Sequence, residues 1–223
     1  MQQYKQDFIE FMIQSGVLLF GDFVTKSGRN TPYFINTGNY RTGSQIAQLG
    51  SFYAEAIRNN VMDDFDVVFG PAYKGIPLAI TASISLYKNF GHDVAFCFNR
   101  KEAKDHGEGG SLVGHKLQNG DRVLIIEDVT TAGTSIRETM PLLTGAASIS
   151  AAGLIVSVDR QEKGPNGTAA LKSISETFGM KACAIVTLDE IVGHLYKREV
   201  NGTVIVDDTM KNKIDAYRKQ YGA

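Results

Sequence analysis

Hydrophobic positions change their spacing along this 223-residue chain. Tyr4, Phe8, Phe11 and Met12 recur at helical intervals, and Gly16 supplies a stop. A second helix is predicted to start near Thr42 or Ser44 and to carry Leu49, Tyr53 and Ile57. Then the period shortens. Val67-Val68-Phe69 runs into Gly70-Pro71 and a helix from Ile76 to Tyr87, and Val94 to Phe98 is the next strand. Val123 to Ile126 leads through an acidic, Thr-rich turn into a helix from about Ser135 to Leu143. Leu154–Val158 and Ala182–Thr187 are strands separated by a helix near Ala169 to Phe178. Continuous apolar strands alternating with helices indicate an α/β fold, a doubly wound and mostly parallel sheet covered on both faces.

Two stretches break this rhythm. Arg100 to Gly110 has no apolar face and reads as a mobile loop, leading into a hairpin signalled by Asn119-Gly120. Residues 1–40 do not fit strand–helix alternation; with about 190–223, including a strand Thr203 to Val206, they are expected to form a small cap over a core of residues 60–189. No repeat, low-complexity tract or Pro/Ser-rich linker divides the chain, so a single domain is expected.

Composition narrows the partners. A net charge of −1 builds no electrostatic case for nucleic acid or an anionic membrane, so an anionic ligand must be met by a local basic cluster. Cys97 and Cys183 are too few for a disulfide framework and read as buried thiols. The N-terminus lacks an apolar region behind a basic start, and no apolar run approaches the roughly 20 residues of a membrane span, so a cytoplasmic protein is expected. Neither the dinucleotide fingerprint nor the P-loop lysine motif is present.

The strongest signal is Val123-Leu124-Ile125-Ile126-Glu127-Asp128-Val129-Thr130-Thr131-Ala132-Gly133-Thr134-Ser135. A buried strand ends in two acids, followed by a small-residue loop at a helix N-terminus. The loop offers backbone N–H groups and hydroxyls to a phosphate, and Gly133 allows close approach. The two carboxylates would repel phosphate, but they can hold sugar hydroxyls directly or through a cation. Phosphate on one side and a polyol on the other describe a ribose 5-phosphate.

This segment resembles the phosphoribosyl pyrophosphate (PRPP) motif of type I phosphoribosyltransferases, two acids and two residues before Thr-Ala-Gly-Thr; the first acid, usually Asp, is Glu127 here. Lys26-Ser27-Gly28-Arg29 followed by Pro32-Tyr33-Phe34 is similar to the N-terminal signature of the orotate phosphoribosyltransferase family. The resemblance places Lys26 on the PRPP diphosphate and puts Phe34 and Ile35 beside the pyrimidine, with Thr131 nearby. Gly70-Pro71-Ala72-Tyr73-Lys74-Gly75 resembles the family's pyrophosphate loop, which implies diphosphate contacts from Tyr73 and Lys74 and a cis Ala72–Tyr73 peptide. Arg100, Lys101, Lys104 and His106 taken alone form a solvated charge run. Beside the PRPP motif they match the family's catalytic loop, with Lys101, Lys104 and His106 acting across a homodimer interface and Arg100 at the loop base. Arg160 in Val158-Asp159-Arg160-Gln161 matches the arginine that grips the orotate carboxylate.

The resemblance thus implies transfer of phosphoribose from PRPP to orotate. Lys101, Lys104, His106 and Asp128 would be catalytic, and residues 127–135 would form the cradle. Mg²⁺ would be bound mainly through PRPP and water. A purine phosphoribosyltransferase and a non-catalytic PRPP-sensing regulator are the alternatives. Tyr73, Asp128 and Arg160 are expected at the carboxyl ends of the parallel strands, where open α/β sheets bind ligands.

Overall fold

In the computed structural model, which describes residues 1–25, 28–60, 64–104, 110–129, 133–164 and 167–223 (backbone alone at 103, 104 and 110), the chain begins with α1 (Gln3–Gln14). Its apolar side buries Phe8, Ile9, Phe11 and Met12. The hairpin β1 (Leu18–Val24) and β2 (Asn30–Ile35) follows, with Leu18 opposite Ile35. A 3-10 turn at Thr37–Asn39 leads to α2 (Gly43–Asn59). Here the helix start is written in sequence: the Thr42 side chain accepts from the Gln45 amide while Gln45 reaches back to the N-cap backbone.

The central sheet contains β3 (Val67–Gly70), β4 (Ala95–Lys104), β5 (Gly110–Gly114), β6 (Arg122–Val129), β7 (Ser150–Asp159) and β8 (Lys181–Thr187). Their order is β5-β4-β3-β6-β7-β8, parallel except where β5 runs antiparallel to β4. Between them lie α3 (Gly75–Phe90), α4 (Thr134–Ala146) and α5 (Ala170–Phe178).

Alternate strand residues serve opposite faces. Val68, Leu124, Ile126 and Ile155 join the cluster beneath α1, α2 and α3. Val67, Phe69, Val123, Ile125 and Leu154 pack with Ile136 and Leu143 of α4 and Ile174 of α5. Burial on both faces is why these strands read as unbroken apolar runs.

The α2–α3 crossing is close enough to require Gly50. A Cβ there would lie 2.6 Å from the Thr81 carbonyl carbon and oxygen. Gly50→Ala gains helix propensity of about 0.5–1 kcal/mol but forces the helices apart, so a net loss of about 1–2 kcal/mol is expected. Thermal unfolding reads this directly; an unchanged or raised melting temperature would contradict the close crossing.

Three local expectations change. Arg100 to Lys104 is the outer half of β4 rather than irregular loop, with Lys104 opposite Gly110. The register with β5 shifts between Asn99 and Lys104, so the pairs on either side of that irregularity hold the stretch extended whatever the side chains prefer; residues 105–109 lie outside the described residues. Asn119-Gly120 is a turn but joins no hairpin, because β5 pairs with β4 whereas β6 lies between β3 and β7. Cys97 is buried, which pushes its thiol up to about 12, but Cys183 is only half-buried.

The C-terminal part adds α6 (Leu188–Leu195), the short pair β9 (Glu199–Val200) and β10 (Thr203–Val204), and α7 (Asp208–Tyr221). The strand expected from Thr203 to Val206 is only these two residues, paired with β9. His194 lies within α6, is buried, and places Nε2 3.0 Å from Glu10. Within residues 1–40, α1 packs on α2 and β8 of the core, whereas β2 joins α7. There Tyr33 and Tyr217 meet edge to face at 5.8 Å. No helix among the described residues is long and apolar enough to cross a membrane.

Candidate active site

Because β3, β6 and β7 are parallel, Tyr73, Asp128 and Arg160 emerge at one edge of the sheet. The Ala72–Tyr73 peptide is cis, as the family resemblance implied. The Ala72 amide donates to Asn99 Oδ1 at 2.7 Å, and the Tyr73 ring is 71% exposed, free to meet a ligand. Lys74 Nζ lies 2.8 Å from Asp128 Oδ2 and 3.1 Å from Thr37 Oγ1. The Thr37 hydroxyl in turn donates to Asp128 Oδ2 at 2.7 Å. Asp128 Oδ1 accepts nothing among the described residues, so one carboxylate oxygen is left for a sugar hydroxyl or a cation.

These groups line a cavity of about 270 Å³ walled by Tyr40, Ile46, Leu49, Tyr53, Pro77 and Leu78. Tyr73 also borders a second cavity of about 380 Å³ that carries Arg100 and Lys101. The exposed tyrosine thus stands between an acid–base cluster and two cations of β4.

Strand alternation sends the two motif acids to opposite sides of β6. Glu127 accepts from the Ser135 hydroxyl in the first turn of α4. Burial raises the Glu127 carboxyl above its usual range, Asp128 adds to this, and the Ser135 hydrogen bond with Lys74 and Lys101 opposes it. The backbone between the acids is held as well: Tyr53 donates to the Glu127 carbonyl at 2.6 Å and Ser157 to the Asp128 carbonyl. Val129 ends β6 opposite Val158. Gly133 caps α4 at φ +70°, and a Cβ there would lie 2.9 Å from Ile174 Cγ1. Gly133 is therefore required twice, by its dihedral and by its neighbour. Thr134 opens α4, whose first-turn amides have no intrahelical acceptors.

The residues expected around the base fall into two places. Arg160 is largely buried, with Nε and Nη2 at 3.0 and 2.7 Å from Glu162 Oε1 and its guanidinium 5.1 Å from the Tyr33 ring centroid. Phe34, the next residue of β2, points to the other face, is 39% exposed and stacks on Phe23 at 5.6 Å. Ile35 is half-buried against the core. Arg160 thus meets Tyr33 and not the two residues singled out beside it. Lys26, His106, Thr130, Thr131 and Ala132 lie outside the described residues, as does the Lys104 side chain.

Thr37, Tyr33, Ser157 and Glu162 were not foreseen. Hydroxyls carry no distinctive spacing, but Glu162, an acid two residues after Arg160, stood in the same short stretch.

The family described as the phosphoribosyl transferase domain matches residues 36–181. An orotate phosphoribosyltransferase of Clostridium beijerinckii is 61% identical over 223 residues, covering all of both chains. One from Clostridium acetobutylicum is 58% identical over 222 residues, covering 100% of this chain and 99% of that protein. The crystal structure of the Francisella tularensis orotate phosphoribosyltransferase superposes with a TM-score of 0.85 at 38% identity, over 97% of this chain and 100% of that one. Full-length similarity, the mostly parallel six-stranded sheet and the acid–base cluster at its carboxyl edge agree: the chain belongs to the orotate phosphoribosyltransferase family.

Proposed function

We infer that the chain transfers the 5-phosphoribosyl group of PRPP to orotate, giving orotidine 5'-phosphate and pyrophosphate in the synthesis of pyrimidine nucleotides. The observation that carries this is the end-to-end identity of 61% with a curated orotate phosphoribosyltransferase.

In the reaction a bond forms between C1 of the ribose and a ring nitrogen of orotate, while the bond from C1 to the pyrophosphate oxygen breaks. Positive charge grows on the sugar and negative charge on the leaving group, so the protein contributes position and electrostatics. Asp128 faces the sugar hydroxyls, and its charge favours the cation-like ribose. Lys74 turns from Asp128 to the departing pyrophosphate, joined by Tyr73, Arg100 and Lys26. The loop from Val129 to Ser135 cradles the 5'-phosphate at the start of α4, with Glu127 behind it. Arg160 takes the orotate carboxylate beside Tyr33, and the β2 backbone at Phe34 and Ile35, with Thr131, borders the ring, since neither of those two side chains meets Arg160.

The donor set fits Mg²⁺: Asp128 keeps one carboxylate oxygen toward the cavity, and this ion needs only one or two protein carboxylates beside phosphates and water. PRPP and water would supply most of its ligands and Asp128 the protein oxygen, and when bound it would offset charge on the pyrophosphate.

We also assign a homodimer in the cytoplasm. Ile84, Tyr87 and Phe90 on α3 and Phe96 on β4 are exposed apolar side chains, and burying them against a second copy would be favourable. Lys101, Lys104 and His106 then act on the partner's PRPP.

Incubating the protein with PRPP, Mg²⁺ and orotate, adenine or hypoxanthine should give pyrophosphate with orotate alone. Product from a purine would favour a purine phosphoribosyltransferase, and PRPP binding with no product would favour a regulator.

A further inference from the structure

Glu162 collects more partners than any role assigned so far explains. It is 8% exposed, in a segment that follows β7. Its Oε1 accepts from Arg160 Nε and Nη2, from the Tyr33 hydroxyl at 2.7 Å and from the Tyr217 hydroxyl at 2.8 Å. Oε2 accepts from Arg29 Nη2 at 2.6 Å. Burial would push this carboxyl up, but Arg160, the two tyrosine hydroxyls and Arg29 hold it below the usual carboxylate range. It is therefore ionised at neutral pH.

We propose that Glu162 is the positioning residue of the base pocket, orienting Arg160 for a carboxylate ligand and tying that orientation to β2 and α7. Three features carry this. First, one carboxylate serves two guanidiniums, so the cluster holds a formal surplus of one positive charge, the complement of a single carboxylate. Second, the side edge of Arg160, Nε with Nη2, is committed to Glu162, whereas Nη1 has no hydrogen-bond partner among the described residues. The end edge, Nη1 with the second Nη2 hydrogen, is left for a bidentate ligand. Third, the other donors come from β2 (Tyr33), the turn before it (Arg29) and α7 (Tyr217), so movement of that layer shifts Arg160 through one carboxylate. The same layer carries Phe34.

The proposal rests on Arg160 meeting the orotate carboxylate, and the experiment separates the two claims. Steady-state kinetics would be measured for Glu162→Gln, Arg160→Ala, the double variant and Tyr217→Phe. Glu162→Gln should raise KM for orotate about tenfold, with kcat within about threefold and KM for PRPP within about twofold. In the Arg160→Ala background Glu162→Gln should add nothing, because its effect passes through the guanidinium. Tyr217→Phe removes one hydroxyl and keeps both charges; it should raise KM for orotate by about threefold and spare PRPP. That variant decides the matter if Glu162→Gln does not fold. Multiplying effects in the double variant, or equal changes in both KM values, would reduce Glu162 to a structural latch and overturn the proposal. If Arg160→Ala alone leaves KM for orotate unchanged, the assignment of the base pocket fails first, and the role of Glu162 falls with it.

Discussion

Replacing Asp128 by Asn should lower kcat with PRPP and orotate by about two to three orders of magnitude, the size seen when one preorganised electrostatic group is removed. The side chain is nearly isosteric, and Thr37 can still donate to its oxygen. What is lost is charge, which Asp128 supplies to Lys74 and, by our reading, to the ribose as it becomes cation-like. Stability should hardly move. Lys74 is 64% exposed, and an ion pair with so exposed a partner contributes about 0–1 kcal/mol. A melting temperature within a few degrees of the parent, with activity nearly abolished, is the expected pair of results. Activity within tenfold of the parent would remove Asp128 from the chemistry.

The same variant tests whether the basic loop acts across a dimer. Lys104→Ala should also be nearly inactive. Mixed with Asp128→Asn under verified subunit exchange, it should form heterodimers in which one site has both an intact acid and an intact loop. If subunits assort at random in two-fold dimers, about a quarter of the parent activity returns. Activity that stays at the level of the single variants would place the loop over its own site.

Arg160→Ala should raise KM for orotate by about 10- to 100-fold while KM for PRPP stays within about twofold, from loss of a charge-assisted contact of about 1.5–3 kcal/mol. A loss falling on PRPP instead would overturn the assignment. The substitution should fold, because Glu162 keeps Arg29, Tyr33 and Tyr217 as partners.

It should also change the response to acid. The folded carboxyl of Glu162 is held below its unfolded value of about 4.3. Its contribution to stability is thus present above that pH and is lost as pH falls through the lower folded value. Without Arg160 the folded value rises and that contribution shrinks. The difference in melting temperature between parent and variant should therefore be largest near neutrality and narrow below about pH 4.

What sequence alone determined here is local or periodic in origin. Apolar strands buried on both faces show as unbroken runs, and α2 begins where Thr42 and Gln45 write a capping box. The cradle is legible because one continuous strand, loop and helix carry it, from Val123 to Ser135. Elements that depend on distant partners were not legible. Arg100 to Lys104 has the composition of a loop, yet β4 runs through it, anchored to β5 at Asn99 and again at Lys104 across a register shift. The Asn119-Gly120 turn carries a hairpin signal, yet β6 finds its partners in β3 and β7.

The site divides in the same way. Asp128, Lys74 and Arg160 announce themselves by charge within short motifs. Thr37, 91 residues from Asp128, and Tyr33, 129 residues from Glu162, are recruited only by the fold. A hydroxyl acquires its role from the group it meets, and that meeting is set by tertiary packing. Charge and period can be read along a chain; a contact between distant segments exists only once the sheet and the layer beside it have assembled.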